Sequence, residues 1–266
     1  AAGQAANASG VQASAFGQNA QAIASNSTAI GQNAIASGAN ASAVGQNSHA
    51  VASSSSAMGF KSSATGVQSV AIGTQSAAMD ASTISVGANS IAAYMGSVAI
   101  GAYSRAVADP TTAVGYSAVA MANNSVALGA NSTALSTNSV ALGQGSVADR
   151  ANSVSVGYVG GERQITNVAR GTFGTDAANL SQVNDALSQA KAYASIGVAQ
   201  AMSIPTVRIS PGDTNGVAVA TANYAGYEAV GFSYAHVVSS HMQMELGFSA
   251  AGGGKIAAKA AGSFSW

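Results

Sequence analysis

The stretch Ser97-Val98-Ala99-Ile100-Gly101 returns as Ser125-Val126-Ala127-Leu128-Gly129 and again as Ser139-Val140-Ala141-Leu142-Gly143, always at multiples of fourteen residues. Working outward, eleven glycines keep that spacing from Gly17 to Gly157, each behind a hydrophobic residue, from Phe16 to Val156. Five positions after the glycine an alanine stands in all ten full repeats, from Ala22 to Ala148. A period of this length means a solenoid, in which each unit is one coil that cannot bury its own apolar face and must stack on its neighbours. More than half the chain is therefore expected to be a rod rather than a pocketed globule.

Within one unit, Val98 and Ile100 point to one side of a strand and Ser97 and Ala99 to the other, because side chains alternate with period two. The glycine then permits a turn that other residues resist. A second short strand around the repeated alanine, such as Ser132 to Ala134, completes the coil. Alanines at positions such as 99, 127 and 141 let another surface approach closely, which implies that both faces are covered. Eleven coils stacked about 4.8 Å apart make a rod roughly 50 Å tall. Its lack of charge patterning argues that it packs against copies of itself.

Composition agrees with this reading. Only 7% of residues are charged, with nine Lys plus Arg balancing nine Asp plus Glu. No field exists to steer nucleic acid or anionic lipid. Hydrophobic residues reach 48% and recur in phase, so a core is affordable and low-complexity disorder is excluded. Cysteine is absent, which removes disulfides, thiol catalysis and thiolate metal sites. No apolar run is long enough for a transmembrane helix, no signal peptide is expected, and the start at Ala1 reads as a mature or excised chain.

Past residue 160 the period breaks. The stretch Gly161-Glu162-Arg163-Gln164-Ile165-Thr166-Asn167-Val168-Ala169-Arg170-Gly171-Thr172 gathers three charges. Thr175 or Asp176 is expected to cap a helix running to Ser203 and ended by Pro205, about 42 Å long. Its apolar positions, Leu180, Val183, Leu187, Ala190, Ala194, Gly197 and Ala201, follow a three-four spacing, the seam of a coiled coil. Core residues shrink along it, so the helices draw together or enter a confined space.

After Pro211-Gly212 come four alternating segments. Val217, Val219 and Thr221 oppose Ala218, Ala220 and Ala222. Val230, Phe232 and Tyr234 oppose Ala229, Gly231, Ser233 and Ala235. Met242, Met244, Leu246 and Phe248 oppose Gln243, Glu245, Gly247 and Ser249. Ile256, Phe264 and Trp266 oppose Ala257, Lys259, Ser263 and Ser265. Strands of about 10 residues, greasy outside and small or polar inside, have the pattern of an outer-membrane barrel. Four strands cannot close one, and open edges are not tolerated in lipid, so several chains must contribute. The small inward residues leave room for the preceding helix in the lumen.

Taken together, the chain resembles the trimeric autotransporter adhesins of the YadA-like family over nearly all its length. The Ser-Val-Ala-Ile-Gly repeats resemble the family's head. Arg163-Gln164-Ile165-Thr166-Asn167-Val168-Ala169, Gly171-Thr172 and Thr175-Asp176-Ala177 resemble its neck, and the four terminal strands ending in Trp266 its membrane anchor. The resemblance implies an all-β solenoid head (a left-handed parallel β-roll, trimeric), a short coiled-coil helix and a trimeric 12-stranded transmembrane β-barrel with four strands per chain. It implies that Trp266 is the outer-membrane assembly signal, read by the barrel assembly machinery. In this chain the neck runs almost directly into the anchor helix, without the family's long stalk. Ala220 and Ala222 stand where the first anchor strand often carries glycine.

The expected organisation is a head over 1–160, a neck over 161–178, a coiled-coil or lumen helix over 179–204 and a barrel anchor over 205–266. The function it implies is that of a homotrimeric surface adhesin of the Gram-negative outer membrane, head exposed. It autotransports that head and mediates multivalent attachment to host matrix proteins, cell-surface receptors or neighbouring bacteria. A passive protective coat, setting spacing or complement resistance without a receptor, is the alternative.

No catalytic, cofactor-binding or metal residue is expected. Gly143-Gln144-Gly145-Ser146-Val147-Ala148 matches a dinucleotide fingerprint but sits in phase with the repeat, with no helix after it. His49 is expected in a variable turn, and His236 and His241 flanking a hairpin at the membrane–water boundary; none has a partner at metal or triad spacing. Glu245 and Lys259 fall on the inward side of the barrel, where charges are solvated or paired. Asp149, Arg150 and the neck charges are expected to join chains at a trimer interface. Tyr94, Tyr103, Tyr116 and Tyr158 occupy positions where most repeats have small residues. Exposed tyrosines make good anchors, and Tyr94, Tyr103 and Tyr116 are the candidate ligand contacts.

Overall fold

The computed structural model of the chain describes residues 1–266. It divides into two compact units, Ala1–Gln164 and Ile165–Trp266.

In the first unit, twenty-two short strands run from β1 (Asn7–Ala8) to β22 (Val154–Ser155). Odd-numbered strands form one sheet of eleven and even-numbered strands another. All pairs are parallel and shifted by one repeat: Ala71 lies between Ala57 and Ser85, and Ala78 between Ala64 and Ala92. The fourteen-residue period is thus one coil, laid in register on the next.

What fills the coil is smaller than its apolar pattern suggests. Ala99, Ala106, Ala127 and Ala134 are fully buried, and so are Ser97, Ser104 and Ser125. Little beyond a methyl or hydroxymethyl group is found between the two sheets. Many of the buried hydroxyls are satisfied within their own turn: Ser48 Oγ donates to Gly45 O at 2.8 Å and Ser132 Oγ to Gly129 O at 2.8 Å. A buried serine so bonded fills the same space as alanine without an orphaned polar group. Val98 is only half-buried, and Ile100 and Leu128 are 40% and 43% exposed. Stacking therefore buries the alanine and serine face and leaves apolar columns outside.

Turns carry a second regularity. Asn19, Asn33, Asn47, Asn131 and Asn138 all sit at φ between 54° and 56°, the left-handed region that asparagine tolerates better than most residues. Three of these amides stack coil on coil, Asn19 Nδ2 donating to Asn33 Oδ1 at 3.1 Å and Asn33 Nδ2 to Asn47 Oδ1 at 3.2 Å. A parallel glutamine ladder joins Gln46, Gln32, Gln18 and Gln4.

The roll's last coil is closed by Arg163. Its Nη1 donates to Val156 O at 2.6 Å and Ser146 Oγ at 2.9 Å, and its Nη2 to Gln144 O. Tyr158 lies over Gly161, where any side chain would strike its ring. Within the chain the Arg163 guanidinium is thus bonded to two backbone carbonyls and a serine hydroxyl.

In the second unit α1 spans Leu180–Ser203. Its cap is Asn179, not Thr175 or Asp176: Asn179 Oδ1 accepts from Gln182 N at 3.1 Å, and Gln182 Oε1 accepts from Asn179 N at 3.3 Å, a full capping box. Asp176 instead folds the preceding turn, its Oδ2 accepting from Thr172 N at 2.8 Å and Phe173 N at 3.0 Å. Starting four residues later, the helix is about 36 Å long. Arg170 pairs with Asp185 at 2.9 Å, another neck charge used within the chain.

Four antiparallel strands follow in sequence order: β23 (Asn215–Tyr224), β24 (Tyr227–Ser239), β25 (Met242–Ala251) and β26 (Lys255–Phe264). The last strand stops at Phe264, so Trp266 lies past it, although Ser265 N still donates to His241 O at 2.9 Å. The end of α1 rests on the small face of this sheet. A Cβ at Gly231 would collide with Ser203 O, and one at Gly247 with the Ile204 side chain. Glycine at these two places, on the second and third strands, is what lets the helix end seat.

Candidate binding surface and membrane anchor

The structure brings two of the three candidate tyrosines together. Tyr103 lies between β14 (Val98–Ile100) and β15 (Arg105–Ala106), and Tyr116 lies in the matching turn one coil on. Their rings meet edge to face, centroids 5.8 Å apart, and both side chains are more than half exposed. Tyr103 also holds the left-handed position, at φ 62°, that asparagine takes in many other coils. A bulky residue there is strained by roughly 1 kcal/mol or more, a cost that Lys61 and Gln75 also carry at the same position of other coils. Tyr94 lies between β13 (Ile91–Ala92) and β14, on the opposite row of turns, apart from the pair. Tyr158 belongs to the closing turn over Gly161.

One feature on the tyrosine row escapes a reading of composition. Lys61 Nζ stands 5.1 Å from the centre of the Phe60 ring. Lys61 precedes Tyr103 by three full repeats, so the two share a turn row about 14 Å apart. That phase relation was available in the sequence.

The other candidates separate. His49 is in the strand His49–Ala50 with its side chain exposed, not in a turn. His236 Nδ1 lies 2.8 Å from Asn215 Oδ1, and His241 is itself in the turn between β24 and β25. No three His, Cys, Asp or Glu side chains gather where they could hold a metal. Residues 143–145 form a turn between two strands of the roll, with no helix after it to receive a phosphate.

Exposed carboxylates are tuned by backbone donors. The Gly160 amide holds Glu162 below its ordinary pKa, and the Phe173 and Thr172 amides do the same for Asp176. Depressed values mean that these bonds stabilise the folded chain above about pH 4 and are lost as pH falls through the folded-state values.

In the strand unit, Met244, Leu246 and Phe248 face outward and are about half exposed, while Glu245, Gly247 and Ser249 face the helix side. Both edges of the four-stranded sheet, β23 and β26, are unpaired. Glu245 is 6% exposed and Lys259 Nζ lies 3.6 Å from its Oε1, so the inward charges are paired. Trp266 is fully exposed. No helix is long and apolar enough to cross a membrane.

Comparison with known proteins places the roll. The profile described as YadA head domain repeat (two copies) matches residues 1–20, 8–34, 22–48, 50–76, 106–132 and 134–158. The crystal structure of the collagen-binding domain of Yersinia adhesin YadA is 33% identical, over 69% of this chain and 87% of that one, with a TM-score of 0.40. No curated protein matches the chain.

Proposed function

The chain belongs to the YadA-like family of trimeric autotransporter adhesins, and on that premise we propose that it is a homotrimeric adhesin whose roll binds host matrix, with collagen the first ligand to test. The observation that carries the binding reading is the Tyr103–Tyr116 pair, exposed and partly strained on one row of turns. Weak contacts along the roll, multiplied over three copies, supply avidity without a deep pocket. Tyr94, on the other row, is the secondary candidate.

Support for trimerisation comes from the outward columns. Covering a residue such as Ile100 or Leu128 to the extent that it is exposed is worth on the order of 1–2 kcal/mol. Heterologous contacts of this kind close into a ring of three where the rotation between copies is a third of a turn. Support for an anchor comes from the outward apolar parity of β23 to β26 and their two open edges. Three copies pairing β26 to β23 make a twelve-stranded barrel in the outer membrane, with α1 in its lumen. In this reading the left-handed rolls stand on the cell surface after export through that barrel. Trp266, fully exposed past β26, is the contact for the assembly machinery.

Bacteria displaying the full chain, a form lacking residues 1–160 and a Tyr103→Ala/Tyr116→Ala variant are compared on immobilised collagen. Attachment lost without the roll and reduced on the order of tenfold by the double substitution is the expected outcome. Background attachment by all three forms would sink the collagen reading and favour self-association or a protective coat.

A further inference from the structure

Residues 205–214, which link α1 to β23, are gripped from the sheet. The main chain of Val207 is bonded on both sides by side chains of one strand. Val207 N donates to Glu245 Oε2 at 3.3 Å, and Val207 O accepts from Gln243 Nε2 at 3.3 Å. Gln243 and Glu245 are two apart, hence on the same face of β25, and together they act on residue 207 as a neighbouring strand would. The wall is cut away to receive it. A Cβ on Gly216 would come within 2.7 Å of Val207 Cγ1 and 3.1 Å of Ile209, and Val207 is 4% exposed.

Glu245 is an expensive residue to place there. It is 6% exposed, its Oε1 has no hydrogen-bond partner, and its only countercharge is Lys259 at 3.6 Å on the edge strand. A buried carboxylate is a weak source of stability in itself, so a positional role accounts for it better than packing does.

We propose that Gln243 and Glu245 are positioning residues that clasp the chain's own linker. They hold the C-terminal end of α1 at one level in the lumen while the chain beyond its N-terminal end is free to pass outward. The proposal rests on the barrel reading. Without the clasp, Ser203 and Ile204 would still find Gly231 and Gly247, but the linker would lift from the wall.

The chain contains no cysteine, so a Val207→Cys variant carries a single reporter whose backbone still offers both clasp bonds. Outer membranes bearing the full chain are treated with a water-soluble maleimide, and the trimer is followed by electrophoresis with and without heating. Labelling should be slow in this parent. Adding Gln243→Ala and Glu245→Ala should speed it on the order of tenfold with the unheated trimer band intact, as loss of two hydrogen bonds implies. Where that pair fails to assemble, Gln243→Ala alone should speed labelling several-fold, and Glu245→Gln, which keeps an acceptor, should leave it within about a factor of three. Unchanged labelling in an intact trimer carrying Gln243→Ala overturns the clasp while leaving the barrel standing. A parent with no heat-sensitive trimer band removes the lumen and overturns both.

Discussion

At Gly101 the backbone sits at φ +124°, where residues with a side chain rarely go, and a Cβ there would collide with the carbonyl oxygen of Gly115 one coil on. The repeated glycine therefore serves two needs at once, a turn and a close approach of consecutive coils. Asn131, two residues after Gly129, sits at φ 56° with room for its side chain, so only the angle matters there. These positions predict different costs. Gly101→Ala should lower stability by about 3 kcal/mol or more, through strain and overlap together. Asn131→Gly should stay within about 0.5 kcal/mol. Thermal unfolding of the folded full chain followed by circular dichroism separates the two, and equal midpoints would mean that coils slide apart to admit a methyl group. Tyr103 shares the angle of Asn131 without asparagine's tolerance for it, as do Lys61 and Gln75 in other coils.

The coil is the element, and it cannot end without exposing unpaired groups. Arg163 supplies the end by bonding Gln144 O, Val156 O and Ser146 Oγ across the last turn. Because solenoid coils touch only their neighbours, losing this cap should loosen the last coil and spare the rest. Arg163→Ala should speed hydrogen exchange at Val147 N, which bonds Gly157 O at 2.9 Å, by about tenfold, with Gln21 N unchanged. Uniform acceleration along the roll would mean that the coils unfold as one. The coil was legible because its period is set by geometry that every copy must satisfy: Gly101, Ala99 and Ala106 recur in phase. Its sidedness was less legible. Period two separates Val98 from Ala99 but is silent on which of them faces in, and only the narrow gap between the sheets puts alanine there. The helix start was misread for a related reason. Thr175, Asp176 and Asn179 are all competent caps, and the choice falls to Asn179 because Gln182 stands three residues on to complete the box while Asp176 is taken by Thr172 and Phe173. The Tyr103–Tyr116 contact needed the register itself, since residues thirteen apart become neighbours only once coils are stacked.

For the whole molecule, the outward columns present an imbalance that one chain cannot resolve. Ile100 and Leu128 are about as exposed as many ordinary surface residues, yet they belong to a line that runs from Phe16 to Leu142 along one sheet. A contiguous apolar strip of that length is unusual on a monomer and marks an interface. Charge substitutions distinguish the two situations because the same change has opposite consequences in each. On a free roll, Ile100→Asp and Leu128→Asp replace solvent-facing side chains and should alter stability by less than about 0.5 kcal/mol apiece. In a ring of three, each substitution buries a carboxylate in every copy, at a cost of several kcal/mol per ion that no cation meets. The double variant should therefore fail to hold its rolls together while each roll keeps its strand signal. Mass photometry and circular dichroism on the detergent-solubilised full chain, with crosslinking confined to residues 1–160, read both quantities at once. Crosslinked trimers that persist in the variant would place the interface elsewhere. The remaining choice would then be the opposite sheet, where Met79, Met121 and Leu135 form the second apolar line.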